Sequence, residues 1–482
     1  MPSISTWTIS RLARAFFWSG AAVLIVSSRI RVPQERVSLF LTYSECDRLE
    51  FMAAVPAVRP PFLVRLRLAA TRPWILRLSC GAISAAGAWT YARSTFLLSP
   101  AYQPMGDFDA YYRAASDLNS NLDPYLRYNH SIPFSLSVGY IYPPFLARLL
   151  QPLALLSLNQ AHLVALVALQ LSVLASVLLT WHLLGLRSWT SRLFVLDAFL
   201  LSSGLVANVG DGNLNVLLVP TSLAWVLAYR RAATWGWLLV GLNVGLKLQQ
   251  APLLGLALFR RDWRGLILGL TTLLATFVAG GLALNFEFFA KVLPRLTNTV
   301  PIGAQNTSLL ADLERLLHPG ADNLTYDPTY AEARFFLIPL VLVVLFFTAR
   351  ALYGLADRQL EALTALAAVP LLSNYLGAPH LLLLLPVGLL LAERALRFRA
   401  HFALALLAVS LLFVADYALF YTLATSINFF VARAVFYEIA PGVAALCIWL
   451  VSLRLAGCAK ARALAPPARA AEPITSRPRE VT

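Results

Sequence analysis

Charge is scarce in this chain of 482 residues: only 13% are Asp, Glu, Lys or Arg, against roughly a quarter in a soluble globular domain. That shortage excludes an ordinary soluble enzyme. Cysteine is scarce too. Cys46, Cys80, Cys447 and Cys458 form no CxxC pair and no Cys/His metal spacing, so neither a disulfide framework nor a zinc site is indicated. A glycine-rich nucleotide loop is missing, and no internal sequence repeat is evident. Residues 11–28 give only a weak version of a secretory signal, which needs a basic start, an apolar core and a small-residue cleavage site.

What fills the chain instead is apolar: 59% of the residues are hydrophobic. From Trp74 onward, runs long enough to cross about 30 Å of hydrocarbon recur, each needing roughly 20 residues of helix. The formal net charge of +15 comes from short basic clusters between apolar runs. Such spacing reads as membrane topology rather than as a nucleic-acid face. The expected fold is an all-α integral membrane protein, a polytopic bundle of about ten to twelve transmembrane helices with extracytoplasmic loops. Residues 1–61 form an N-terminal extension whose place in the mature protein is open. Residues 62–457 carry the membrane domain, and 458–482, rich in Ala, Pro and Arg, form a disordered basic cytoplasmic tail.

The excess of Arg and Lys orients the spans. Arg65, Arg67, Arg72 and Arg77 hold the start of the first span, residues 75–95, in the cytoplasm. The aromatic, acidic loop 99–142 then faces outward. Residues 143–158 open with Pro-Pro and hold Arg148 and Pro152, so they read as a surface or re-entrant helix. Further spans fall at 163–186, 193–209, 215–228, 266–284, 335–351, 360–372, 381–391, 402–421 and 435–455. An outer loop is expected at 285–334. Residues 235–260 read as a hairpin or a pair of tilted helices broken near Lys247, Gln249, Gln250 and Pro252.

On this topology five polar clusters share the outer side: Asp107 with Asp109, the turn 208–215, Lys247, the loop around Asn306, and His380 beside Asn374. Ionisable groups at membrane depth are costly and usually face a cavity or a partner. A carboxylate of the Asp107/Asp109 pair at an apolar boundary suits a general base that deprotonates a sugar hydroxyl. The same acids also read as solvated loop residues or a helix N-cap. Lys247 suits the phosphate of a lipid-linked donor, or it snorkels at a helix end. His380 either donates to a phosphate or is an interfacial histidine. The Gly210–Asn215 stretch shows calcium-loop spacing for three residues and lacks the closing glutamate, so it reads as an amide-rich turn. The loop at Asn306 is a polar turn or a ligand contact.

The order of these motifs resembles glycosyltransferase family 87. Asp107-Phe108-Asp109-Ala110-Tyr111-Tyr112-Arg113-Ala114-Ala115, then Asp123-Pro124-Tyr125 and Tyr142-Pro143-Pro144, is similar to the family's first outer loop. Gly212-Asn213-Leu214-Asn215 stands where the family usually has Gly-Gln-x-Asn. Leu246-Lys247-Leu248 before Arg260-Arg261-Asp262-Trp263-Arg264, Asn306-Thr307-Ser308 and His380 continue the order. The family comprises polyprenyl-phosphate-mannose-dependent mannosyltransferases with the multi-spanning C-type glycosyltransferase fold. The resemblance implies transfer of a hexose, mannose above all, from a polyprenyl-phosphate-linked donor to a lipid or glycan acceptor on the outer face of a bacterial plasma membrane.

Carried over by position, it makes Asp107 the general base, with Asp109 the local alternative. Lys247 and His380 then contact the donor phosphate, and Tyr111, Tyr112, Asn213, Asn215 and Asn306 are candidate substrate contacts. The lipid-phosphate sugar is a substrate, so no cofactor is implied, and no metal or nucleic-acid partner is expected. Asn213 in place of glutamine and the Gln249-Gln250-Ala251 insertion depart from the pattern. Two competing classes are a transporter or lipid-linked-sugar flippase, for which repeat symmetry is expected, and a non-enzymatic component of envelope assembly.

Overall fold

In hydrocarbon a backbone amide has no water to turn to, so apolar runs of this length fold as helices that satisfy their own hydrogen bonds. The computed structural model describes residues 73–93, 95, 105–125, 140–298, 300–301, 306, 308–318, 329–330, 334–373, 376, 378–415 and 440–464. The expectations for residues 1–61, Gln305, Thr307, Asn374 and the tail from 465 lie outside them.

The first half of the described chain runs through α1 (Pro73–Ala92), α2 (Gly106–Asn119), α3 (Pro144–Leu150), α4 (Leu158–Leu184), α5 (Trp189–Leu200), α6 (Ser203–Gly210), α7 (Asn215–Arg230), α8 (Gly236–Leu246) and α9 (Pro252–Phe259). The second half holds α10 (Trp263–Gly280), α11 (Leu282–Glu287), α12 (Leu293–Asn298), α13 (Leu309–Leu317), α14 (Arg334–Leu352), α15 (Arg358–Ala368), α16 (Leu384–Arg397), α17 (His401–Ala415) and α18 (Ala440–Leu464). A two-residue antiparallel pair, β1 (Val300–Pro301) with β2 (Thr329–Tyr330), is the one sheet among the described residues.

The helix ends are written in local chemistry. Ser157 and Gln160 cap α4 reciprocally, with Gln160 Oε1 accepting from the Ser157 N–H at 3.1 Å. The helix stops at Gly185 in the left-handed region, a conformation that suits a residue without Cβ. Asp262 and Asp357 cap α10 and α15 by accepting from Gly265 N and Leu360 N.

This is a multi-pass helical membrane protein. Among the described residues α4, α10, Phe335–Leu352 of α14, and α18 are long and apolar enough to cross a membrane. The pair α5–α6, bent by 54°, makes a fifth if it is one span. Among the described residues, several of the apolar runs read as spans or tilted helices from the sequence form shorter or interrupted helices, such as Gly236–Leu246 and His401–Val414. Residues 143–158 become the short α3 and a 3-10 turn at Leu153–Leu155. Residues 360–372 become α15 followed by a 3-10 turn at Val369–Leu372. That segment lies inside the bundle, with every residue from 359 to 368 buried, and faces other helices rather than lipid. At the other end α18 continues as helix to Leu464, past the Cys458 boundary expected for the tail.

The core centres on α7 and α15. Helix α7 packs on α4, α8 and α15, and α15 packs on α14, α16 and α18. Trp225 lies 5.8 Å from Trp237 and 5.6 Å from Tyr229, ring centre to ring centre. Aromatic pairs in that range contribute about 0.5–1.5 kcal/mol beyond their buried area. Helices α8 and α10 approach closely enough that a Cβ at Gly241 would collide with the Gly269 carbonyl, the small-residue packing that membrane helix pairs use.

Candidate active site

Helix α2 is docked by its first turn. The Asp107 and Phe108 N–H groups donate to the Asp211 carbonyl at 3.0 and 3.2 Å, so two otherwise unpaired helix N–H groups bind the turn between α6 and α7. That turn needs its glycine twice over. Gly212 has φ +68°, and a Cβ there would sit 2.5 Å from Phe108 Cβ, so any other residue would push α2 away.

The amides of the turn form a continuous chain. The Asn213 N–H donates to the Asn208 carbonyl at 2.8 Å, and the Asn215 N–H donates to Asn213 Oδ1 at 2.8 Å. The Asn213 side-chain amide in turn donates to the Asp107 carboxylate. On the far side Lys247 Nζ donates to Asn215 Oδ1 at 2.9 Å and lies 5.6 Å from the centre of the Tyr142 ring. The Tyr111 ring meets Tyr142 edge-on at 5.0 Å. Lys247 is buried and occupies an extended break between α8 and the 3-10 turn Leu248–Gln250. The break aims its ammonium inward instead of letting it snorkel to a surface.

Electrostatics favour chemistry at Asp107. Desolvation pushes its carboxyl above the usual carboxylate range, while the Asn213 bond and the Lys247 charge pull the other way. Burial, then the neighbouring Tyr142 and Asp107, push the Tyr111 hydroxyl well above its ordinary value. Tyr111 is therefore a neutral group at working pH.

Two cavities flank this chain. A cleft of about 340 Å³ is lined by Asn215, Gln249, Gln250, Pro370 and His380 among others, which joins His380 to the residue that holds Lys247. A second cleft, of about 480 Å³, is apolar, with Phe108, Tyr111, Leu146, Ala165, Gly212 and Leu214 in its wall. Its α2 wall is made by Phe108 and Tyr111, the first of them next to Asp107 in the sequence.

The structure thus brings Asp107, Asn213, Asn215 and Lys247 into one chain, with Tyr111 and His380 at its edges. Asp109 is separate: two residues along a helix turn the side chain to roughly the opposite face. There its Oδ1 pairs with His162 Nε2 at 2.6 Å, and the Phe108 ring stands edge-on to the imidazole at 5.5 Å. The Tyr112 hydroxyl donates to the Leu156 carbonyl at 2.7 Å and ties α2 to the loop before α4. Asn306 Oδ1 accepts from the Ser308 and Leu376 N–H groups, each at 3.0 Å, so its side chain clips a loop to the segment that leads to His380.

Sequence reasoning missed His162 and Tyr142, and gave Asn208 only as the start of the turn 208–215. Tyr142 had been quoted only within a motif, and a histidine inside an otherwise apolar helix was the available signal for His162.

Residues 140–379 match Glycosyltransferase family 87. The chain carries a glycosyltransferase family 87 domain. No curated protein and no solved structure matches the chain. The family 87 domain contains the turn, Lys247, Asn306 and most of the cleft walls. Its match begins at Tyr140, after α2, so the placement of Asp107 against the domain is given by the contacts above. As a family 87 membrane glycosyltransferase, the protein takes a sugar donor and an acceptor as substrates.

Proposed function

We propose that the protein transfers a hexose, mannose by family resemblance, from a polyprenyl-phosphate-linked donor to a lipid or glycan acceptor on the extracytoplasmic face of a bacterial plasma membrane, with Asp107 as general base. The observation that carries this reading is the Asp107–Asn213–Asn215–Lys247 chain. It links a carboxylate to a buried cation, and Phe108, Gly212 and Leu214, which adjoin Asp107 and Asn213 in the sequence, line the apolar cleft.

A lipid-linked donor needs both kinds of surface. The isoprenoid next to the phosphate fits the apolar wall of Phe108, Leu146 and Leu214, and the phosphate takes Lys247 as its counterion, with His380 reaching it across the neighbouring cleft. The acceptor hydroxyl then attacks the anomeric carbon and gives its proton to Asp107. The bond from that carbon to the phosphate oxygen breaks, and its electron pair leaves on the polyprenyl phosphate. Lys247 holds the charge that develops there. Asn213 keeps the carboxylate pointed at the reaction centre until the acceptor arrives.

The test is transfer of radiolabel from polyprenyl-phosphate-mannose to a membrane-lipid extract by purified protein in lipid. Wild type should form a labelled product and Asp107→Asn should not. Equal transfer by both proteins would remove Asp107 as the base. Labelled donor carried across vesicles by both, with no new product, would favour a flippase.

A further inference from the structure

Asn215 and Tyr229 are fourteen residues apart on α7, about 21 Å at the helical rise of 1.5 Å per residue. At the Tyr229 end, away from the proposed reaction centre, cations converge. Arg260, at the end of α9, donates to Glu361 of α15, and its NH2 reaches the carbonyls of Leu352 and Leu355 at 3.1 and 2.8 Å. Lys460, near the end of α18, donates Nζ to the Arg350 carbonyl at 3.0 Å. That carbonyl and the two that Arg260 binds lie within six residues of one another at and just past the end of α14, so both cations meet the same turn of chain. Arg358 stacks 6.0 Å over the Tyr229 ring.

Topology explains why arginine and lysine are common at one end of a membrane bundle. It does not explain why three of them gather. Glu361 is the carboxylate in this group, and it is taken by Arg260. Among the described residues neither Arg350 nor Lys460 has a carboxylate partner, and each is held beside a like charge. Such an arrangement is repulsive until an anion enters it.

The surroundings say which anion. The cations sit where α14 and α18 leave the apolar belt, and these helices pack on each other. Leu342 and Phe346 of α14 and Leu450 of α18 are exposed along them, and Tyr353 stands exposed at the boundary. Aromatic and basic residues at such a level face phospholipid headgroups, and exposed aliphatic rows face acyl chains. We infer that Arg350, Lys460 and Arg260 form a binding site for the phosphate of an anionic phospholipid whose chains lie along α14 and α18. The site is independent of the transferase reading.

The test is native mass spectrometry of the full chain released from detergent after exposure to equal amounts of phosphatidylglycerol and phosphatidylcholine. Wild type should retain phosphatidylglycerol in preference by about 30-fold, the order expected for the two cations without a carboxylate partner. The double variant R350Q/K460Q should lose that preference, while K460R, which keeps the charge, and R399Q, which removes a cation elsewhere, should retain it. Loss in R399Q equal to the double variant, or a double variant that still selects phosphatidylglycerol, would overturn the site. Displacement of the lipid by excess inorganic phosphate would assign the cations to a free anion and overturn the lipid. A wild type that selects neither lipid would do the same.

Discussion

Two polar networks lie side by side on α7 and α8, and they differ in kind. One holds Asp107, Asn213, Asn215 and Lys247, mixes two opposite charges with amides, and is flanked by clefts. The other, nearer the middle of α7, joins Thr221, Ser222, Asn243 and Gln250. Thr221 donates to Asn243 Oδ1 at 2.8 Å, Asn243 Nδ2 to Gln250 Oε1 at 2.9 Å, and Gln250 Nε2 to Ser222 Oγ at 2.9 Å. It carries no charge, and its amides and hydroxyls satisfy one another. A neutral closed network specifies packing, even where its Gln250 reaches a cleft wall; a charged one beside a cavity is kept for a ligand.

Breaking the charged network should produce the largest effect. Asp107→Asn keeps the side-chain shape and removes the base, so transfer should fall by about 10²- to 10⁴-fold, the usual contribution of a positioned general base. Asp109→Asn, whose carboxylate faces His162, should cost far less. A radiolabel assay in which both substitutions are equally damaging would end the distinction between the two acids.

Lys247→Met comes next. Hydrogen bonds to charged groups contribute about 1.5–3 kcal/mol, so kcat/KM for the lipid-linked donor should drop by about 10- to 100-fold. Lys247→Arg should recover part of the loss. Unchanged donor kinetics in Lys247→Met would leave the lysine a structural plug.

The closed network predicts the opposite division between stability and activity. Asn243→Ala would take the 2.9 Å donor from Gln250 Oε1, while Thr221 keeps the Leu217 and Leu218 carbonyls, at a cost of about 1–3 kcal/mol for the buried amide left short. The thermal midpoint in detergent should fall while the KM for donor holds. A donor-binding defect at constant stability would mean that the two networks are one functional unit.

Much of this contrast was legible in the sequence, for reasons particular to each residue. Lys247 stands out because a lysine inside an apolar stretch is expensive, and Asp107 because its motif recurs in a family. The helical class and the multi-pass character follow from apolar run lengths. The surroundings of each helix did not, since α15, which carries Gln359, Glu361 and Thr364 among its apolar residues, is wrapped by α7, α14, α16 and α18. Hydropathy cannot tell lipid from protein as a neighbour. Asp107 and Asp109 read as one acidic pair until α2 was known to be helical at both positions. His162 matters through a contact across 53 residues, and it sits in no pattern that spacing alone would single out.

The smallest effect is also the most specific probe of the charged network. Burial raises the Asp107 carboxyl, and both the Asn213 bond and the Lys247 charge oppose that rise. The base acts when ionised, so activity should be lost as pH falls through this raised value, above the pH near 4 where a free aspartate titrates. Asn213→Ala removes one of the two opposing influences. The carboxyl is then harder to ionise, and the acid limb of the pH–rate profile must move to higher pH. Activity at neutral pH should drop only a few-fold and return on raising the pH, whereas a general loss of folding would lower the whole profile. A limb that stayed in place would mean that the group titrating in the profile is not the carboxylate Asn213 holds.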